Sequence, residues 1–186
     1  MAGSFIKTLC RVFYAAVHPL RIEGKELLPE SGPYILALNH TNFRDAIVGL
    51  LLARDDARVM AKKELFKWRP VAAFFRRLGA FPVDRGNVDM AALRLSMEIL
   101  KDGHPLVIFP EGHRYTDGEI HEIKGGAVLI AMRTGAPLIP ARIHTSYLPF
   151  AKVRVRIGSP MTVSRAQGSS ALEEGAEELK KRMEKL

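Results

Sequence analysis

Apolar residues recur along the 186-residue chain in two alternating rhythms, short unbroken runs and longer stretches at helical spacing. The runs at 34–38, 58–61, 80–83, 105–109 and 138–143 are short and bounded by polar or turn residues, so they read as buried strands. Residues 152–157 alternate basic and apolar positions, the pattern of a strand wet on one face. Between these runs, 45–53, 64–78, 88–101 and 126–133 carry apolar residues every three to four positions and predict helices, with Pro70 kinking or dividing the second. A charged amphipathic helix is expected at 171–185. Another is expected at 4–18, where Phe5, Leu9, Val12, Phe13 and Ala16 recur at helical spacing around Lys7 and Arg11.

Strands alternating with helices predict an α/β fold: one domain with a mostly parallel sheet flanked by helices, preceded by the N-terminal amphipathic helix. The expected division is 1–22 for that helical segment and 23–186 for the domain. No internal repeat, low-complexity segment or long linker marks a second domain.

Charge narrows the partners. A formal net charge of +8 attracts polyanions, yet no zinc-finger spacing, aromatic RNA-binding signature or strong helix-turn-helix pattern is present. In the segment ELFKWRPVAAFFRR, Leu65, Phe66, Trp68, Val71, Phe74 and Phe75 interleave with Lys67, Arg69, Arg76 and Arg77, which suits an anionic lipid interface. The same segment also fits a lining of core or acyl tunnel with solvated cations outside. No run approaches the roughly 18 apolar residues needed to span a bilayer, and no signal peptide is evident. The expectation is a cytoplasmic protein, peripheral on the inner face of the cell membrane. A single cysteine excludes an internal disulfide framework and a Cys-rich zinc site, and Cys10 reads as a buried inert thiol.

In open α/β sheets ligands bind beyond the carboxyl ends of the strands, so the residues after each predicted strand are candidates for chemistry. They are Asn39-His40, then Asp84-Arg85, then Pro110-Glu111-Gly112-His113-Arg114. His40 and Asp45 would lie roughly 140° apart on a continuous helix, but a strand-to-helix turn can fold the aspartate back toward the imidazole. Asp45 would then fix the tautomer and stabilise the imidazolium, leaving His40 as general base for a substrate hydroxyl. The same residues also fit a helix cap beside a turn histidine. Gly112 permits an unusual backbone turn, and Arg114 offers a planar donor fork for a phosphate. Glu111 could pair with Arg114, orient it, or bind a polar group of the acceptor; Arg85 also fits a solvated strand-end arginine.

The blocks NHTNFRD, KKEL with GAFPVDR, FPEGHR, and IKGGAVLIA with PLIPARI resemble, in order and spacing, the glycerophospholipid acyltransferases of the lysophosphatidic acid acyltransferase (PlsC) type. The resemblance runs over residues 34–143. It implies transfer of a fatty acyl group from an acyl-thioester, acyl-CoA or acyl carrier protein, to the hydroxyl of lysophosphatidic acid at a membrane surface. No other cofactor, no metal and no nucleic acid are implied. It assigns His40 as general base and Asp45 as its charge partner. Arg85, Glu111, Gly112, Arg114 and Lys124 fall to the phosphate and glycerol of the acceptor, and Pro140 to the acyl-donor pocket. Asn42 stands where the family commonly has serine, and His113 and Tyr115 where it commonly reads EGTRS; these departures bear on the acceptor head group.

Three other readings stay open on sequence. One is acylation of another lyso-lipid, such as a lyso-ornithine lipid or a lysophospholipid, with transacylation from a phospholipid, without a thioester donor, as a further variant. Another is a non-catalytic basic domain binding lipid or nucleic acid. The third is a metal-dependent hydrolase using Glu111, His113 and His121, although no HExxH pattern is present.

Overall fold

A computed structural model of the chain describes residues 2–84, 89–146, 148, 151–163 and 169–186. Among them, seven strands form one sheet: β1 (Leu20–Glu23), β2 (Ile35–Leu38), β3 (Arg58–Lys62), β4 (Ala80–Val83), β5 (Leu106–Ile108), β6 (Leu138–His144) and β7 (Val153–Ile157). Their order is β1-β7-β6-β2-β5-β3-β4. Strands β6, β2, β5, β3 and β4 run parallel, while β7 is antiparallel to β6 and parallel to β1. The helices are α1 (Ala2–Val17), α2 (Asp45–Leu52), α3 (Arg69–Arg77), α4 (Met90–Lys101), α5 (Gly126–Thr134) and α6 (Ser169–Glu184).

The continuous apolar run of β2 follows from its central place, since parallel strands covered on both faces have no wet side. Leu36 and Leu38 point into a core shared with α2, whereas Ile35 and Ala37 point into a second core with α4, α5 and α6. Each large aliphatic side chain so buried stabilises the fold by about 1.5–3 kcal/mol. Helix α2 lies close on the sheet because Gly49 faces it. A Cβ there would fall 2.7 Å from Val107 and 2.8 Å from Leu38.

One element departs from the sequence expectation, and another divides where Pro70 was expected to kink or divide it. Strand β1 lies within the segment assigned to the N-terminal helix, so residues 20–22 belong to the sheet. Its partner β7 pairs Leu20 with Val153 through to Glu23 with Arg156, a match far away in sequence and invisible locally. The helix expected at 64–78 is divided: a 3-10 turn spans Lys63–Phe66, and α3 starts afresh at Arg69 with Pro70 in its first turn, where no N–H is needed.

Helix α1 has two apolar stripes rather than one. Ile6, Cys10 and Tyr14 pack onto the domain, while Leu9, Val12 and Phe13 on the other side stay about 60% exposed. Lys7 is buried and its Nζ donates to the Asp55 carbonyl, while the exposed Arg11 pairs with the Asp55 carboxylate at 2.7 Å. Cys10 is half-buried in this packing, and burial pushes its thiol up, away from thiolate chemistry.

The topology also fixes where a ligand can bind. From β2 the chain leaves over the α2 face toward β3; from the adjacent β5 it leaves over the α5 face and crosses to β6. Neighbouring parallel strands whose connections part in this way leave a crevice beyond their carboxyl ends. His40 follows β2 and Phe109–Gly112 follows β5, so both segments meet at that crevice.

Candidate active site

The chain turns sharply after β2, and one carboxylate oxygen organises the turn. Asp45 Oδ2 accepts the backbone N–H of Thr41 and of Asn42, each at 2.6 Å, and lies 3.2 Å from His40 Nδ1. Asp45 is fully buried and His40 is 5% exposed, so little water competes for these bonds. A carboxylate that already receives two backbone donors accepts from the imidazole as well, which puts the ring proton on Nδ1. The lone pair then sits on Nε2, which among the described residues carries no hydrogen bond. The Phe109 ring stacks on the imidazole, with centroids 4.3 Å apart and planes 28° from parallel.

Asn42 keeps its place in the turn although it departs from the family serine. Its Oδ1 accepts the Arg44 N–H at 3.2 Å, a turn bond that a hydroxyl also makes. Asn39 fastens the other side of the crevice: its amide donates to the Ile143 carbonyl at 3.1 Å and accepts the Ile143 N–H at 2.7 Å.

Glu111 is placed differently from the sequence expectation. It is 2% exposed and faces neither Arg114 nor open solvent. One oxygen accepts the His40 N–H at 2.9 Å and the other the His121 N–H at 3.0 Å. With both oxygens on backbone donors, its carboxylate braces the His40 turn against the FPEGHR loop. The Tyr115 N–H donates to the His40 carbonyl at 2.9 Å and completes the brace. Tyr115 also stacks on His121 at 3.7 Å, and His121 Nε2 meets Asp117 at 2.7 Å. The two out-of-pattern positions thus differ: Tyr115 serves loop packing, whereas His113 is exposed.

Gly112 adopts φ +71°, and a Cβ there would fall 3.0 Å from the Lys124 side chain, including its ammonium nitrogen. Glycine therefore lets Lys124 lie across the turn, while the Lys124 N–H donates to the Pro110 carbonyl at 2.9 Å. Arg114 is exposed. Arg85 lies outside the described residues; its neighbour Asp84 pairs with Lys63 at the carboxyl end of β4.

Beside Phe109 opens a cavity of about 700 Å³, walled by Met60, Val83, Leu93, Ile108, Leu129 and Ile130, with Gly112 and Lys124 among its other lining residues. Pro140 does not line it. That residue is buried within β6, in register with Ala37, its ring 3.0 Å from where a Cβ on Gly158 would stand. The PLIPARI half of the fourth block thus shapes the strand beside β2, while its IKGGAVLIA half lines the cavity through Lys124, Leu129 and Ile130. Glu111, His113 and His121 do not converge either, and no cluster of three metal-ligating side chains occurs among the described residues. The sequence named Asn39 as a strand-end candidate and Tyr115 as a departure from the family motif, but it did not single out Phe109, which opens the FPEGHR block.

A buried His–Asp pair with a bare Nε2, exposed cations and an adjoining apolar cavity form a site for moving an acyl group onto a hydroxyl. Residues 19–144 match the model of the acyltransferase family, and the chain belongs to that family and is an O-acyltransferase. It is of the lysophosphatidic acid acyltransferase (PlsC) type. The 1-acyl-sn-glycerol-3-phosphate acyltransferase of Bacillus subtilis is 32% identical over 148 residues, 76% of this chain and 73% of that one. The Streptococcus pneumoniae enzyme of the same name is 30% identical over 138 residues, 70% of this chain and 51% of that one. The crystal structure of the 1-acyl-sn-glycerophosphate acyltransferase PlsC from Thermotoga maritima superposes with a TM-score of 0.77 at 27% identity, covering 97% of this chain and 77% of that chain.

Proposed function

We propose that this chain transfers a fatty acyl group from an acyl-thioester to the free hydroxyl of lysophosphatidic acid, with His40 as general base. The single observation that carries the catalytic assignment is the buried Asp45 carboxylate holding His40 Nδ1 while Nε2 has no partner among the described residues. Nε2 takes the hydroxyl proton as the acceptor oxygen attacks the thioester carbonyl, and Asp45 stabilises the imidazolium. The tetrahedral intermediate collapses with loss of the C–S bond, and His40 returns the proton to the departing thiolate. Arg114 and Lys124, joined by Arg85, hold the acceptor phosphate; Gly112 gives Lys124 room, and the cavity beside Phe109 receives acyl chain.

The reaction belongs on the inner face of the cell membrane. No helix among the described residues is long and apolar enough to cross a bilayer. Instead, Leu9, Val12 and Phe13 on α1, Phe43 in the catalytic turn and Trp68 before α3 are 58–68% exposed. Lys67 and Arg69 flank Trp68, a mixture suited to an anionic interface.

Purified protein with labelled acyl-CoA or acyl carrier protein, given lysophosphatidic acid, other lysophospholipids and a lyso-ornithine lipid in vesicles, tests the acceptor. Phosphatidic acid should be the dominant product. Faster acylation of a lyso-lipid lacking the phosphomonoester would move the assignment to that head group.

A further inference from the structure

The turn that presents Asp45 is also held from outside the crevice. Arg44 immediately precedes Asp45, and its Nη1 lies 3.1 Å from His18 Nε2. His18 ends α1: its N–H donates to the Tyr14 carbonyl at 2.7 Å, and the residue is 3% exposed. Its Nδ1 lies 3.3 Å from the Ala151 carbonyl. A guanidinium only donates, so Nε2 must accept and the ring proton must sit on Nδ1, where the Ala151 carbonyl takes it. Both nitrogens are thereby committed, one to the catalytic turn and one to the segment leading into β7. The Tyr14 hydroxyl, one helical turn earlier, donates to the Arg44 carbonyl at 3.4 Å.

Arg44 transmits position directly. Its carbonyl accepts the Ile47 and Val48 N–H groups, each at 3.0 Å, in the first turn of α2, and its own N–H donates to Asn42. A displaced Arg44 therefore displaces Asp45, whose one oxygen already serves four donors, the Thr41 hydroxyl among them, and tolerates little movement. At its other end α1 is tied to Asp55 by Lys7 and Arg11. Between the two ties lies the exposed Leu9, Val12 and Phe13 face.

We propose that His18 is a positioning residue that couples α1 to the catalytic turn, so that seating α1 on an anionic lipid surface sets the His40–Asp45 geometry. This rests on the reading above that the exposed α1 face meets lipid. His18→Phe keeps a buried ring and removes both polar bonds, whereas His18→Gln keeps an acceptor for Arg44.

With phosphatidylglycerol vesicles carrying lysophosphatidic acid, His18→Phe should lower kcat about tenfold with KM for the acceptor nearly unchanged, and His18→Gln should recover most of it. Adding Arg44→Met to His18→Phe should cost little more, because both break one connection. A second readout does not depend on turnover. The NMR signal of the His40 Nδ1 proton should shift when vesicles are added to the wild type, and should stay put in His18→Phe although that variant binds vesicles and unfolds as cooperatively. Wild-type kcat with an intact shift in His18→Phe, or equal impairment of the Gln and Phe variants, would overturn the coupling. A wild type that shifts its His40 signal yet acylates no acceptor would count against the substrate assignment and leave the coupling standing.

Discussion

Two histidine–carboxylate pairs lie at opposite ends of the sheet, and their surroundings differ in the features that the proposed base requires. At the amino ends of β3 and β5, His104 Nδ1 meets Asp56 at 2.9 Å, closer than the 3.2 Å of His40 and Asp45. That distance is the poorer guide. Asp56 is already gripped by Arg54, whose Nε and Nη2 reach its two oxygens at 3.1 and 2.8 Å, and Arg54 also donates to the Gly32 and Gly103 carbonyls. The side chains of His104 and Asp56 are 35% and 38% exposed; those of His40 and Asp45 are 6% and 0%. One pair knots three loops together in water. The other is dry, braced by backbone donors, and stacked on Phe109, which lines the cavity. Burial, bracing by backbone donors and a nitrogen without a partner among the described residues suit His40 to the proposed role of base, and proximity of a carboxylate alone does not.

The sharpest way to break the comparison is to treat both aspartates alike. Asp45→Asn should lower kcat by roughly 10²–10⁴-fold, because the amide no longer stabilises the imidazolium. Asp56→Asn should leave kcat unchanged. Steady-state turnover of the two variants checks this, and equal losses would erase the distinction.

A smaller effect is expected at Glu111. Glu111→Gln sets an amide NH₂ against one of two backbone N–H groups, a buried mismatch of about 1–3 kcal/mol, hence roughly 5- to 150-fold in rate if it falls on the base. The loss should appear in kcat. A rise in KM for the acceptor instead would return Glu111 to the substrate-contacting role its motif suggested.

The smallest effect concerns stability at the far pair. The Arg54 guanidinium first, and His104 after it, hold the Asp56 carboxyl well below the ordinary carboxylate range. A depressed carboxyl contributes its full stability above its unfolded pKa, about 3.9, and loses it as pH falls toward its folded value. The unfolding midpoint of wild type should exceed that of Asp56→Asn by a constant margin near neutrality, and the margin should shrink below pH about 4. A margin independent of pH would remove the charge from the explanation.

How much of this was legible in the sequence depended on the span of each interaction. The central strands showed as apolar runs because both their faces are covered, and His40 with Asp45 showed because their contact closes within five residues. The Glu111 brace spans 71 residues between the carboxylate and the His40 N–H, so a local motif suggested an arginine partner instead. Strand β1 was hidden for the same reason, its partner lying 133 positions away. In α1 both apolar stripes fit one helical period, and only packing separates the face that touches the domain from the face left open. Pro140 was carried over with its block, and its burial in β6 could not be read from the block itself.

The most direct measurement is phosphatidic acid formation from labelled acyl-thioester and lysophosphatidic acid in anionic vesicles, by wild type, His40→Ala and His104→Ala side by side. The expected result is product from wild type and His104→Ala at similar rates, and at least a hundredfold less from a folded His40→Ala. Product from His40→Ala at the wild-type rate would contradict the assignment of His40 as the base.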